Sequence, residues 1–338
     1  MPLPELEIDL SRTPAARWQG LLPYRGAIHE LFAAHFRELA DASDFAGELE
    51  GFARRFLSSE LRAELAAVAE ISGHETGDVL LLNLYYDAIK AVLGCSAFAV
   101  DSPNDGGHSG ASGEAPGGPL HARNLDWYSE GDMLRKHSML CRFTGGRNEF
   151  VTIGWPGFIG ALSGMAPGKF AVTLNAVLSI EEAQLAAPIS FLIREVLESA
   201  ESFDAAVARL ADDAIYSDCL LLVTGPRPGE MVVIERTPGC SALRRRDPKE
   251  ATLAVTNSYR TPELRVLAPG AGESATPGGL ADTADLRYDR VQALCAQRVP
   301  ANARECFAVL DDSGVRMPGT MQQMVFRVAT GALECPEF

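Results

Sequence analysis

Leu120-His121-Ala122-Arg123-Asn124-Leu125-Asp126-Trp127 is the stretch on which the reading of this chain turns. Residues 119–127 and residues 95–100, Cys-Ser-Ala-Phe-Ala-Val, read as the two strands of a hairpin, short apolar runs bounded by turn formers. Successive side chains of a strand point to opposite faces, so Arg123 and Asp126, three apart, fall on different sides. If both serve one site, the strand has to end or kink near Asn124, as at a bulge, and such a break is expected there. Residues 101–118, between the strands, are rich in Gly, Ser, Pro and Asn and read as a flexible loop. Their glycines form no G-x-G-x-x-G or G-K-[ST] pattern, so no phosphate cradle is indicated.

Outward from the hairpin, the chain changes character at Cys95. Before it the apolar residues recur at helical spacing: Ile28, Leu31, Phe32, Phe36 and Leu39, then Phe45, Leu49, Phe52 and Phe56, then Leu61, Leu65 and Val68. The apolar run 79–93 is too short, and with Asn83, Asp87 and Lys90 too polar, to span a bilayer. After Cys95, strands are expected at 138–144, 149–154, 169–175, 218–224, 230–236 and 251–256, and helices at 187–199, 203–211 and 285–297. Pattern alone gives an α+β protein without internal repeats.

Cys95, Arg123 and Asp126 are the residues through which chemistry enters. A thiol with the ordinary pKa of about 8.5 is mostly protonated at neutral pH, and becomes a strong nucleophile beside a base and a cation. Arg123 is a permanent cation suited to stabilising a Cys95 thiolate. An α-amino group freed at Cys95, with an ordinary pKa of about 7.7–8.0, would be a base close to working pH, and Asp126 would accept its hydrogen bond. Taken alone, an Arg and an Asp three residues apart are most often a surface ion pair.

Composition bounds the remainder. The chain has 338 residues, 47% of them hydrophobic and 22% charged, which is globular composition with length for one large domain or two. Its formal net charge of −15 argues against nucleic acid or an anionic membrane surface as the main partner, while leaving room for a weak apolar membrane contact. The seven cysteines, Cys95, Cys141, Cys219, Cys240, Cys295, Cys306 and Cys335, form no CxxC pair and fit neither a zinc site nor a disulfide scaffold. The start, Met1-Pro2-Leu3-Pro4-Glu5-Leu6, has no basic and apolar signal pattern, and a cytoplasmic protein is expected. None of the six histidines has a ligand or triad partner at motif spacing; His121 reads as a structural strand residue, and no metal or cofactor is expected.

Residues 77–87, Gly-Asp-Val-Leu-Leu-Leu-Asn-Leu-Tyr-Tyr-Asp, then Cys95, then His121 to Trp127, resemble the acid ceramidase and N-acylethanolamine acid amidase family. That family stands in the wider group of bile-salt hydrolases and penicillin V acylases. The resemblance continues through 157–164, Thr173-Leu174-Asn175, 188–194, Val255-Thr256-Asn257 and Leu286-Arg287-Tyr288, and includes Glu7 to Leu10 with Arg17-Trp18. It implies a four-layer α-β-β-α sandwich of the N-terminal nucleophile hydrolase type, residues 95–338, preceded by a mainly helical segment, residues 1–94. It also implies that the chain cuts itself before Cys95, that the two pieces stay associated, and that Cys95 then attacks an N-acyl amide.

By the same resemblance, Asn175 lies near the oxyanion hole, Asn257 donates its amide to the developing oxyanion, and Arg287 orders the site, with Arg290 its competitor one turn away. Read without the resemblance, Asn257 is a turn residue and Arg287 a helix-surface charge. Gly94, lacking a Cβ, suits the strained backbone that an N-to-S acyl shift demands. Trp155 to Ile159 is a candidate lining for the acyl entrance, or an ordinary apolar turn over the core. The chain departs from the family in Ser96-Ala97 after the cysteine, and in Ala176, where an acidic residue is usual. The expected function is a fatty N-acyl amide hydrolase. Its alternatives are an acyltransferase or acylase acting on N-acyl amino acids, acyl-homoserine lactones or β-lactams, and an uncut lipid-binding relative.

Overall fold

The computed structural model describes residues 2–38, 46–84, 93–101, 117–127, 130–269 and 280–336. The expectations for 85–92 and for most of the loop 101–118 lie outside these. The chain opens with strand β1 (Glu5–Asp9) and then helices α1 (Arg25–Glu38), α2 (Ala46–Phe56), α3 (Ser59–Ser72) and α4 (Thr76–Asn83). Helix α3 shows why such a segment is helical. Ser58 caps it by accepting from the Leu61 N–H at 3.2 Å, Leu61, Leu65 and Val68 bury one face, and Gly73 ends it in the left-handed region at φ 76°.

Strands β2 (Leu93–Asp101) and β3 (Pro119–Trp127) follow, then β4 (Met139–Thr144), β5 (Phe150–Gly154), β6 (Ser163–Ala166) and β7 (Phe170–Asn175). Helices α5 (Ile189–Ser199) and α6 (Phe203–Asp212) precede β8 (Cys219–Thr224), β9 (Met231–Arg236), β10 (Ser241–Arg244) and β11 (Leu253–Val255). Helices α7 (Leu280–Gln297) and α8 (Ala303–Leu310) and strands β12 (Thr320–Arg327) and β13 (Ala332–Glu334) complete the chain.

The strands form two sheets. One has eight, in the order β1-β4-β5-β6-β7-β8-β9-β10, and the other five, in the order β11-β2-β3-β12-β13. Alternation along β2 fixes the layering. Ala97 and Ala99 pack with Leu220, Leu222 and Val233 of the larger sheet, while Phe98 and Val100 pack with Val291 and Cys295 of α7 and Leu310 of α8. Helices α5 and α6 and the N-terminal helices cover the far side of the larger sheet, through Leu65, Val68, Phe191, Leu197 and Leu210. The result is the expected α-β-β-α sandwich. Strands β8 and β9 are buried at every position, which is why they read as unbroken apolar runs.

The segment ahead of Cys95 is mainly helical, as expected, and it adds a strand: β1 pairs in parallel with β4, Leu6 opposite Cys141, and so joins the core sheet. Two expectations are corrected. Strand β3 neither ends nor kinks at Asn124, because its register with β2 runs unbroken from Leu93↔Trp127 to Asp101↔Pro119. The irregularity sits in the other neighbour, β12, between Thr320 and Gln322. Finally, Gly94 holds ordinary extended strand backbone opposite Asp126, so no strain is stored there; its missing side chain instead leaves room beside that carboxyl.

A buried ionic cluster fastens the N-terminal helices to the sandwich. The Glu64 carboxylate of α3 takes Arg17 at 2.7 Å and Arg194 of α5 at 3.3 Å, and the Arg194 guanidinium lies 4.0 Å from the centre of the Phe143 ring. Removing one member of such a buried cluster strands the remaining charge, at a cost of about 3–5 kcal/mol.

Candidate active site

Cys95 is the third residue of β2, directly opposite Leu125, so its side chain shares a face of the smaller sheet with Leu125 and Arg123. That face looks toward the larger sheet. The Arg123 guanidinium, 1% exposed, is gripped there by three oxygens of the strands and turns opposite. One Nη donates to the Leu162 carbonyl at 2.8 Å and to the Ser163 hydroxyl. The other donates to the Leu174 carbonyl and lies 3.2 Å from Cys95 Sγ. The thiol donates in turn to the Leu174 carbonyl at 3.6 Å. A fixed cation in hydrogen-bond reach of a buried sulfur stabilises negative charge on it.

The opposite face carries the rest. Arg287 of α7 donates through Nη1 to the Cys95 carbonyl at 2.7 Å and to the Ser96 hydroxyl at 2.9 Å, and through Nη2 to Asn257 Oδ1 at 2.8 Å. Asn257 Oδ1 also accepts from the Cys95 N–H at 3.1 Å, and its Nδ2 donates to the Ala176 carbonyl at 2.8 Å. Both backbone groups of Cys95 are therefore held by side chains. Burial pushes the Arg287 pKa down, while Asp126 and Cys95 pull it up. Arg290 points elsewhere, pairing at the surface with Asp312 at 2.6 Å, which leaves Arg287 as the arginine of the site.

Asp126 lies on the helix-facing side of β3, away from Arg123, as regular alternation requires. The Thr320 hydroxyl donates to its Oδ1 at 2.6 Å, while Oδ2 is buried without a partner among the described residues. Burial raises the Asp126 pKa above the ordinary carboxylate range, against the Thr320 hydrogen bond and the charges of Arg287, Arg123 and Arg316. Among the described residues Asn175 makes no hydrogen bond to Cys95. At the end of β7, its Nδ2 donates to the carbonyls of Val255 at 3.3 Å and Thr256 at 3.0 Å, so it ties the larger sheet to the segment that carries Asn257. Its Oδ1 is buried and unpartnered among the described residues.

The structure thus gathers Cys95, Arg123, Asn257 and Arg287 into direct contact, sets Asp126 one strand away across Gly94, and makes Asn175 a brace. His121 is the structural residue expected: its ring bridges Thr173 at 2.8 Å and Thr224 at 3.0 Å, and burial and then Arg123 push its pKa down to about 3. Sequence reading missed Thr320, which no motif signals, and the cradle role of Leu162, Ser163 and Leu174, though all three lie within stretches already singled out. Among the described residues no three His, Cys, Asp or Glu side chains gather to hold a metal. No described helix is long and apolar enough to cross a membrane.

The sequence profile of the acyl-coenzyme A:6-aminopenicillanic acid acyl-transferase family matches residues 114–316, most of the sandwich. The chain belongs to that family. Among its relatives, the N-acylethanolamine-hydrolyzing acid amidase of Cavia porcellus is 28% identical over 255 residues, covering 70% of this chain and 66% of the relative. The acid ceramidase of Balaenoptera acutorostrata scammoni is 23% identical over 266 residues, covering 70% of this chain and 64% of the relative. The chain therefore spans slightly under two thirds of the length of either. A solved structure of the Caenorhabditis elegans N-acylethanolamine-hydrolyzing acid amidase ortholog superimposes with a TM-score of 0.53 at 20% identity, over 70% of this chain and 93% of that one. The family member described here has the fold of that amidase, an N-terminal nucleophile hydrolase sandwich.

Proposed function

We propose that this chain is a cysteine amidohydrolase of N-acyl amides that activates itself by cutting between Gly94 and Cys95. The observation that carries the reading is the environment of Cys95: a guanidinium 3.2 Å from its sulfur, and side chains of Asn257 and Arg287 on its N–H and carbonyl. A cysteine serving only the core has no use for two buried arginines.

In the first step the Cys95 sulfur attacks the Gly94 carbonyl carbon, the Gly94–Cys95 amide breaks, and the Cys95 nitrogen leaves as a free amine. Water hydrolyses the resulting Gly94 thioester, giving chains 1–94 and 95–338 that stay packed together. The new α-amino group gains the open Oδ2 of Asp126 as an acceptor across the site vacated by Gly94. In the second reaction that amine takes the thiol proton as the sulfur attacks the substrate carbonyl, then passes it to the departing amine. Arg123 balances charge on the sulfur. In the uncut chain Asn257 presents its oxygen to Cys95 and its Nδ2 to Ala176, so serving the oxyanion requires that amide to turn once cleavage releases the Cys95 nitrogen. A preorganised donor of this kind contributes about 3–4 kcal/mol to the barrier. Water then releases the acid from the thioester.

The names of the relatives support fatty N-acyl amides such as N-acylethanolamines or ceramide-like lipids as the substrate class. The family description supports a second reading, in which an amine rather than water resolves the same thioester. Intact-mass spectrometry of the purified protein at acidic and neutral pH, beside Cys95→Ala, tests the first step. Two chains meeting at Gly94 and Cys95, absent from the variant, are expected; one uncut chain under every condition refutes the reading. Supplying an amine acceptor during turnover then separates transfer from hydrolysis by whether a new amide accumulates.

A further inference from the structure

At the end of β9, between the two sheets, lies a carboxylate that the chemistry at Cys95 does not use. Alternation along β9 turns Val233 and Glu235 toward the smaller sheet, where Val233 packs with Ala97 and Val255, and Glu235 is fully buried. A carboxylate so placed is costly unless its lone pairs are engaged. Here they are. Oε2 accepts from the Arg260 N–H, the Thr261 N–H and the Thr261 hydroxyl, each at 2.9 Å, and Oε1 accepts from Arg244 Nε at 2.8 Å.

Three of those four donors belong to the segment that carries Asn257. Residues 256–261 follow β11 and form neither helix nor strand, so regular structure supplies no partners for their N–H groups. Glu235 supplies two of them, in charge-assisted bonds stronger than a neutral acceptor would give. The next residue of β9 adds a third hold, because the Arg236 carbonyl accepts from the buried Tyr259 hydroxyl at 2.9 Å. Upstream, Asn175 takes the carbonyls of Val255 and Thr256, and the Thr256 hydroxyl donates to the Ala284 carbonyl of α7 at 2.9 Å. Asn257 therefore sits between two anchors, one from β7 and α7, the other from the end of β9. Arg244 of β10 ties the second anchor to β11, its Nη2 donating to the Ala254 carbonyl at 2.8 Å.

We infer that Glu235 is a positioning residue that fixes the 257–261 segment from behind, so that Asn257 meets Cys95 in one geometry. This rests on the amide-hydrolase reading. Glu235 touches no reacting atom; it acts through Arg260 and Thr261, three and four residues beyond Asn257. The Asn257 amide has to turn after the cut, and a turning side chain is a preorganised donor only if its own backbone stays in place.

The test compares self-cleaved wild type, Glu235→Ala, Glu235→Gln, Asn257→Ala and the Glu235→Ala/Asn257→Ala pair on hexadecanoyl ethanolamide. Glu235→Ala is expected to lower kcat about tenfold to a hundredfold with KM within about threefold, because the donor it places acts in the transition state. Glu235→Gln keeps an oxygen for the Arg260 and Thr261 N–H groups, and is expected to stay within about fivefold of wild type. In the Asn257→Ala background, losing Glu235 is expected to cost less than about threefold more, since the two act as one. The full loss in both backgrounds, a loss carried by KM, a Glu235→Gln loss as deep as that of Glu235→Ala, or no effect of Glu235→Ala overturns the inference. If wild type does not cleave the amide, the hydrolase reading falls, and the anchor is tested without it by hydrogen exchange in the uncut Cys95→Ala protein. Exchange over 256–261 at least about tenfold faster with Glu235→Ala, and unchanged over α5, supports the inference; equal acceleration in both, or none, overturns it. Should Glu235→Ala fail to fold or to self-cleave, Glu235→Asp, whose carboxylate stops one methylene short of the two N–H groups, replaces it with the same criteria.

Discussion

The two faces of strand β3 solve different problems with the same kind of residue. Toward the larger sheet, Arg123 is clasped by the Leu162 and Leu174 carbonyls and the Ser163 hydroxyl and meets the Cys95 sulfur directly. Toward the helices, Arg287 meets the backbone of Cys95, the Ser96 hydroxyl and the Asn257 amide, with the Asp126 carboxyl nearby. One face handles charge on the nucleophile; the other handles the peptide groups around it. The difference teaches that opposite faces of one strand can serve one residue, because a cysteine in a strand presents its side chain to one layer and its main chain to both neighbours.

Breaking the inner face is expected to have the largest effect. Arg123→Met keeps the bulk and removes the cation, and self-cleavage followed by gel or mass is expected to slow about a hundredfold to a thousandfold. A rate within a few fold of wild type would show that the sulfur does not need this charge. On the outer face, Arg287→Lys retains the charge but not the fork that reaches Cys95, Ser96 and Asn257 together, and a loss of about tenfold to a hundredfold is expected in the same assay. If the two losses are equal, the division between the faces is wrong.

Asp126 sharpens the comparison through pH. Its pKa is raised, so the folded chain holds that proton more tightly than the unfolded chain. The stability it contributes is complete below the ordinary carboxylate range and lost as pH rises through the raised value. Thr320→Val removes a hydrogen bond that favours the charged form. In the uncut Cys95→Ala background it is expected to cost about 1–3 kcal/mol at neutral pH, with the deficit narrowing in acid. Denaturant melts across that range check it, and a deficit that widens in acid would reverse the assignment. Arg290→Ala is the smallest change: its surface pair with Asp312 is remote from Cys95, and an unchanged self-cleavage rate is expected.

These contrasts also show what the sequence made legible. The hairpin, both residues on their separate faces, and the layering of β2 follow from alternation at period two. The expected kink at Asn124 came from supposing that residues sharing a function must share a face. Asn257 and Arg287 were found by resemblance, since an isolated Asn in a turn and an Arg on a helix carry no local signal. Strand β12 is absent from the sequence reading for a physical reason: Thr320, Gln322 and Gln323 are polar and break the apolar pattern of a buried strand, yet each is buried and paired, with Asp126, Ser138 and Asn124 respectively. Strand β6 was missed because Ser163-Gly164-Met165-Ala166 has almost no strand propensity; its neighbours impose the conformation.

Strand β1 has a practical consequence. Because Glu5 to Asp9 occupy the rim of the larger sheet alongside β4, the break proposed at Cys95 would interrupt the covalent chain without following any seam of the sheet. Residues 95–338 produced alone would present the naked backbone of β4 to solvent, a template on which one molecule recruits the next. Expressed without its first piece, the sandwich is expected to aggregate, and adding a peptide that spells out β1 is the natural way to cap it.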